Sequence, residues 1–327
     1  MPLTVIPAAQ WRAQAARHVD RVQELTSGHQ ARSGRGIRHP VEDFLFTYYS
    51  LRPAQLRRWY PGAGVALADA SDRAGWRFHQ VLPVVGRDAD GPTVAVDVAA
   101  FVRARGSQIA FTRRLMTATG SAAGQFGCFG LHEWAMVYRQ DESQRRHLER
   151  PLRLGQAGTD DVVRGHQIKC THYDAFRFFT PPARPLNAVQ PDLASRVVME
   201  QPGCLHASMD IYKWAYKLIP VVPSELLLDA FVLARAIREL DMRASPYDLS
   251  DLGYSPVRIE TAAGKAEYVA AQREFAGAAQ LLRRRLLAVL DELVGNGPPG
   301  GSGEPIGLSD RHPAPGNSSP GTGHPRS

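Results

Sequence analysis

The chain has 327 residues, with 39 Lys and Arg against 32 Asp and Glu, for a formal net charge of +7. Apolar residues make up 44% and charged residues 22%, which fits a folded globular protein and excludes a fibrous or wholly disordered one. No apolar run reaches the ~18–20 residues of a membrane-spanning helix, residues 1–11 lack the basic-then-apolar pattern of a secretory leader, and three cysteines make no disulfide framework. A cytoplasmic location with no membrane partner is therefore expected.

In chain order, residues 10–24 form a polar, Arg-rich helix candidate. Residues 41–59 carry Val41, Phe44, Leu45 and Tyr48 at helical spacing, and Pro53 should break that helix near Arg52. Residues 64–68, 76–85 and 93–98 are short and β-rich, with residues 86–92 (GRDADGP) reading as a hairpin loop. Ser224 is placed to cap a helix running to about Met242, which is apolar on nearly every side and so expected at the centre of a core. Residues 265–294 form a long amphipathic helix with Phe275, Ala279, Leu282, Leu286, Leu290 and Leu293 on one stripe. The run Arg283, Arg284 and Arg285 reads as a solvated face. Residues 296–327 contain 7 Pro, 8 Gly and 5 Ser, and are expected to be a disordered tail. That tail is neutral, so the whole +7 lies on residues 1–295. The expectation is a mainly α protein: one large helical domain over 1–295 with a small antiparallel hairpin or sheet.

Three segments carry candidate chemistry. Each cysteine has a histidine close by: Cys128 with His132, Cys170 with His172, and Cys204 with His206. Thiolate and imidazole together suit zinc or iron. Cys128 and His132, four apart, would share one helix face, and the acids Glu133, Asp174 and Asp210 lie near enough to orient ligand histidines. The alternative is that the cysteines are small buried hydrophobes and the histidines satisfied core groups. The second segment, 39–49 (HPVEDFLFTYY), puts Glu42 and Asp43 at a helix start, then four aromatics, then Arg52, Arg57 and Arg58. That order suits aromatics stacking a base, arginines holding phosphates and a carboxylate moving a proton. It equally suits a capped helix with a buried aromatic stripe. The third segment, 169–182, sets His172, Asp174 and Arg177 among phenylalanines. There Asp174 is either a carboxylate of raised pKa or half of an ion pair with Arg177. Asp229, in the most apolar helix without an opposite charge at i ± 4, marks either a site or the one solvent-facing edge. No P-loop, GxGxxG, GxSxG or kinase signature is present.

Four stretches, 39–59 (HPVEDFLFTYYSLRPAQLRRW), 128–139 (CFGLHEWAMVYR), 172–187 (HYDAFRFFTPPARPLN) and 202–218 (PGCLHASMDIYKWAYKL), resemble a family of actinobacterial proteins identified as 3-methyladenine DNA glycosylases. The resemblance covers most of residues 11–290. It implies a cofactor-free enzyme that flips an alkylated purine out of duplex DNA and hydrolyses its N-glycosidic bond. Its location would be nucleoid-associated. The glycine-rich hairpin of the helix–hairpin–helix glycosylases is not found here, so no catalytic residue carries over by motif. The candidate carboxylates are Asp174, Glu42 and Asp210. Tyr48, Tyr49, Phe176, Trp214 and His172 are candidates for holding the base, and Arg57, Arg58 and Lys213 for phosphate. The +7 charge agrees in sign with a DNA partner. Two further readings stand beside this one: a zinc or iron enzyme using Cys128, His132, Cys170, His172, Cys204 and His206, and a non-catalytic helical nucleic-acid-binding protein.

Overall fold

Proline sets the first element boundaries. In the computed structural model, which describes residues 3–83, 91–145 and 147–295, strand β1 (Thr4–Ile6) is followed by Pro7 and helix α1 (Ala8–Ser33). Trp11, His18, Val22 and Thr26 form the buried stripe of α1, and its remaining polar surface faces solvent. Pro53 has no N–H to offer a preceding helix, so residues 41–59 split into α2 (Phe44–Tyr48) and α3 (Pro53–Leu56), the second beginning on the proline itself.

The sheet comprises β1, β2 (Val65–Leu67), β3 (His79–Val81) and β4 (Val94–Val96) in the order β1-β2-β4-β3. β3 and β4 pair antiparallel, with His79 opposite Val96, and β2 pairs antiparallel with β4. β1 adds to β2 in parallel, with Thr4 opposite Val65, so the sheet is mixed rather than purely antiparallel. A three-residue strand is too short to show a period of two, which is why the sequence did not reveal β1. The Trp11 indole N–H donates to the Ala68 carbonyl at 2.8 Å and ties α1 to the sheet. Most of the hairpin loop over 86–92 and all of the tail over 296–327 lie outside the described residues.

The body is helical: α4 (Val98–Ser121), α5 (Leu131–Ala135), α6 (Gly155–Arg164), α7 (Tyr173–Phe176), α8 (Arg196–Met199), α9 (Leu205–Tyr216), α10 (Ser224–Arg243) and α11 (Ala262–Gly295). The described residues belong to one compact unit. The centre is α9, not α10. Every residue of α9 is buried, with α10 and α11 packed against it and α4 behind α11. α10 keeps an outward edge at Asp229 and Val232, and Asp229 is paired there with Arg285 at 2.6 Å. Ser224 opens α10 without capping it. Its hydroxyl accepts from the Tyr60 N–H at 2.9 Å and donates to the Arg58 carbonyl at 3.3 Å, joining α10 to the chain after α3. Among the described residues no helix is long and apolar enough to cross a membrane.

The α11 stripe is as the spacing predicts, with Ala279, Leu282, Leu286, Leu290 and Leu293 buried. The arginine run departs from expectation. Arg284 and Arg285 are exposed, but Arg283 is 1% exposed, reaching Gln280 in its own helix. Burial pulls its guanidinium down to about 10. Its position beside Leu282 and Leu286 on the inward stripe is the reason, since three consecutive helical residues span too wide an arc to share one face.

Two leucines of α11 give a direct check. Leu286 is fully buried and Leu281 is 57% exposed. Leu286→Ala should cost ~2–5 kcal/mol of unfolding free energy in urea titration, and Leu281→Ala no more than about 0.5 kcal/mol. Equal effects would contradict the inward face assigned here.

Candidate functional site

Burying α9 takes His206, Asp210 and Lys213 into the core with it. Desolvating an ion costs several kcal/mol, so each must find a partner. The partners come from two sides and build two adjoining clusters.

The first cluster gathers around Lys213. Its ammonium lies 3.0 Å from Asp174 Oδ2 and 3.5 Å from Asp210 Oδ2. Arg196 of α8 reaches the same Asp174 oxygen at 2.7 Å, and Arg177 reaches the other at 3.5 Å. Tyr49 donates its hydroxyl to Asp210 Oδ1 at 2.8 Å. His172 Nε2 sits 3.5 Å from both Glu200 Oε1 and Asp210 Oδ2. Burial alone would protonate Asp174 and Asp210, but Lys213, His172 and Arg196 outweigh it and hold both below the ordinary range. Burial pushes Glu200 up instead. Asp174 is thus held by three cations. Both Glu200 oxygens, both His172 nitrogens and Asp210 Oδ2 have no hydrogen-bond partner, and His172 Nε2, Glu200 Oε1 and Asp210 Oδ2 are met by ion-pair distances alone.

The second cluster adjoins it. His132 of α5, His206 of α9 and Asp241 of α10 place one ligand atom each within 4.8 Å of one another, all three side chains buried. The His132 and His206 rings meet edge to face at 4.4 Å. Arg238 donates to Asp241 Oδ2 at 3.1 Å and to Glu133 Oε1 at 2.8 Å. Two carboxylates share this guanidinium, and against the effect of burial Asp241 and Glu133 raise the basicity of His132, which faces Asp241 as a second cation. Burial and the neighbouring His132 push His206 down to about 3, so it stays neutral with a lone pair to give. His132 Nε2 approaches Asp241 Oδ1 at 2.9 Å, yet without hydrogen-bond alignment, and both atoms lack a hydrogen-bond partner. Two ligands each ~2.1 Å from one tetrahedral ion would lie about 3.4 Å apart, so these two atoms would have to part by about half an ångström to share one.

The two clusters touch through His172 and His206, whose rings stack at 5.3 Å. Beside them lies a small cavity lined by all three cysteines, Cys128, Cys170 and Cys204, together with His132, His206 and Lys169. Cys128 is not on a helix, so it shares no helix face with His132. Phe129 and Gly130 both take left-handed backbone, at φ 46° and 68°, and this turn brings Cys128 and His132 to one wall. Burial raises all three thiols, Cys170 to about 12.

The remaining candidates separate. Asp174 is an ion-paired carboxylate with a depressed pKa, so the expectation of a raised pKa is corrected. Glu42 lies away from this site, in a groove with Arg235, Glu239 and Tyr254, and pairs with Arg32 at 2.7 Å. Lys213 is 0% exposed and already engaged by two carboxylates, so it is no phosphate contact. Arg57 and Arg58 are exposed as a phosphate role requires, although remote in sequence from the clusters. Tyr48 stacks on Phe44 at 5.0 Å and meets Tyr49 edge-on at 5.0 Å. Phe176 packs on Phe179 and Trp214 on Phe111, both within the core. The sequence reading missed Asp241, Arg238, Arg196 and Glu200. A charged residue at an inward position of an otherwise apolar helix was the available signal for Asp241 and Arg238.

Comparisons with protein-family models, with curated proteins and with solved structures return no match.

Lys213→Met tests the first cluster. The depressed carboxylates contribute stability that is present above their unfolded pKa of about 4 and is lost as pH falls through their folded values. Without Lys213 they are left underpaired, so the variant should lose ~3–5 kcal/mol at pH 7. That deficit should shrink as acid protonates them. A deficit independent of pH in urea titrations would contradict the pairing.

Proposed function

We propose that the protein is a metal-dependent hydrolase with one zinc or iron ion held by His132, His206 and Asp241. The observation that carries this is the convergence of two buried imidazoles and a buried carboxylate within ligand distance of one another, with His132 Nε2 and Asp241 Oδ1 at 2.9 Å and neither hydrogen-bonded. His172, Asp174 and Asp210 also lie within ligand distance, but Lys213 and Arg196 already occupy the Asp174 oxygen that such an ion would need. Three protein ligands on one side of an ion leave positions for water and substrate, and such an ion supplies a hydroxide nucleophile at neutral pH. Arg238 orients Asp241 from the far oxygen, and Glu133 holds Arg238 in turn. The cavity beside His132 and His206 is the approach for a reacting bond.

A second reading follows from the first cluster and from the resemblance to 3-methyladenine DNA glycosylases. It is hydrolysis of the N-glycosidic bond of an alkylated purine in DNA. Supporting it, Asp174 and Asp210 are held ionised beside Tyr48 and Tyr49, and an ionised carboxylate stabilises a sugar cation. Against it, Asp174 is already neutralised by Lys213, Arg196 and Arg177, and Asp210 faces Lys213 and His172. Binding of nucleic acid without catalysis would use the exposed Arg57 and Arg58 alone.

One set of assays separates these readings. Elemental analysis of purified protein should find zinc or iron that is lost in Asp241→Asn, while circular dichroism stays unchanged. Adding that metal back to chelator-treated protein should raise its melting temperature. Protein free of transition metal that gains no stability from zinc or iron would overturn the metal reading. Incubation with alkylated duplex DNA, with and without chelator, then reads the substrate. Base release unaffected by chelator would favour the glycosylase, and salt-sensitive binding without release would favour the non-catalytic protein.

A further inference from the structure

The cavity beside His132 and His206 is lined for an oxygen that bears negative charge. It measures about 20 Å³, room for one or two waters, and no carboxylate is among its lining residues. One wall is the start of α9, with Cys204, Leu205 and His206. Cys204 makes no side-chain capping hydrogen bond, and the first acceptor within the helix, the Cys204 carbonyl, is taken by the Ser208 N–H at 3.1 Å. The N–H groups of Leu205, His206 and Ala207 come before any helical acceptor and carry the positive end of the helix dipole. Lys169, which is exposed, adds a cation to the same lining.

Gln201 points to a ligand independently of the helix. It lines the cavity, is 6% exposed, and has a fixed orientation: its Oε1 accepts from the Gln125 N–H and from the Gly203 N–H, both at 2.8 Å. The Nε2 amide is therefore the group left over, and among the described residues it has no hydrogen-bond acceptor. A buried donor without an acceptor is costly, and a ligand oxygen removes that cost. The backbone that orients Gln201 is held in turn. The Gln272 amide donates to the Gly203 carbonyl at 2.6 Å, and a Cβ on Gly203 would strike the Gln125 backbone.

We propose that this cavity is an oxyanion pocket for an acyl group, so that the bond hydrolysed beside His132, His206 and Asp241 is a carboxylic ester or amide. The substrate class follows from size. Space for one or two waters takes a carbonyl oxygen before reaction and the two carboxylate oxygens after it, whereas a phosphoryl group, with three terminal oxygens around one atom, is too large. Water adds its oxygen to the acyl carbon, and the bond from that carbon to the ester oxygen or amide nitrogen breaks with its electron pair. One proton of the water passes to the leaving group and the other to solvent, leaving a carboxylate. Gln201 and the first turn of α9 hold the charge that develops on the carbonyl oxygen. The reaction rests on the hydrolase reading; the binding of a carboxylate in the pocket does not.

The test is calorimetric titration of the full chain with formate, acetate and inorganic phosphate in chloride-free buffer, as purified and after chelator treatment. Formate and acetate should bind in both preparations, and phosphate at least tenfold more weakly. Gln201→Glu keeps an oxygen for the Gln125 and Gly203 N–H groups but replaces the amide donor with a carboxylate, so it should abolish binding. Lys169→Met should weaken binding about fivefold, and Lys169→Arg should restore it. Metal-loaded protein should cleave p-nitrophenyl acetate and not p-nitrophenyl phosphate, with kcat about a hundredfold lower in Gln201→Glu. Should Gln201→Glu fail to fold, the Lys169 pair and the phosphate comparison still decide the question. Carboxylate binding in protein that proves free of zinc and iron would keep the pocket while the metal reading falls. No binding of formate or acetate in either preparation, binding confined to the metal-loaded form, phosphate bound as tightly as acetate, or unchanged binding in Gln201→Glu would each overturn the pocket.

Discussion

Helix α9 has no solvent-facing residue, yet its sequence places Asp210 and Lys213 three apart, with His206 one turn before Asp210. An ionised side chain that cannot reach water must be met by charge or hydrogen bonds from the protein. This requirement organises what surrounds α9. Asp174 meets Lys213 from a short helix and is held in turn by Arg196 of α8, and Tyr49 is drawn in from the aromatic segment to serve Asp210. On the other side, α10 brings Asp241 and Arg238 against His206 and His132. The charges carried by α9 and its neighbours thus decide which faces of those elements turn inward.

The geometry of the two clusters gives the functional reading its direction. Around Lys213, three cations converge on Asp174, which is what a structural ion-pair network does. Around Asp241, two imidazoles and a carboxylate lie within ligand distance, and His132 Nε2 and Asp241 Oδ1 approach without a hydrogen bond. Buried lone pairs aimed at a common point are costly unless something occupies that point. The cavity next to this cluster, lined in part by its own His132 and His206, supplies access.

Much of this was legible in the sequence, unevenly. The long helices α1, α10 and α11 follow their periodicity, and Pro53 marks a break where a proline must. The pairing of each cysteine with a histidine pointed to the segments that line the cavity, but the pairs themselves divide: His172 goes to the carboxylates, His132 and His206 to Asp241. Sequence distance could not show this, because contacts such as His132 with Asp241 are set by how α5, α9 and α10 pack rather than by local spacing. Lys213 was read as a phosphate contact and Arg283 as part of a solvated face for the same reason. A charge in a helical run is a solvated face by default, and only the packing of α9 and α11 overrides it. Strand β1 was too short to carry a pattern.

The central claim, that His132, His206 and Asp241 converge on an ion, is tested most directly by anomalous X-ray diffraction from crystals of chelator-free protein, collected on either side of the zinc and iron edges. The account predicts one anomalous peak among the three side chains, at about 2.0–2.2 Å from each ligand atom. A map with no peak there, and with His132 turned to make an aligned hydrogen bond to Asp241, would contradict it.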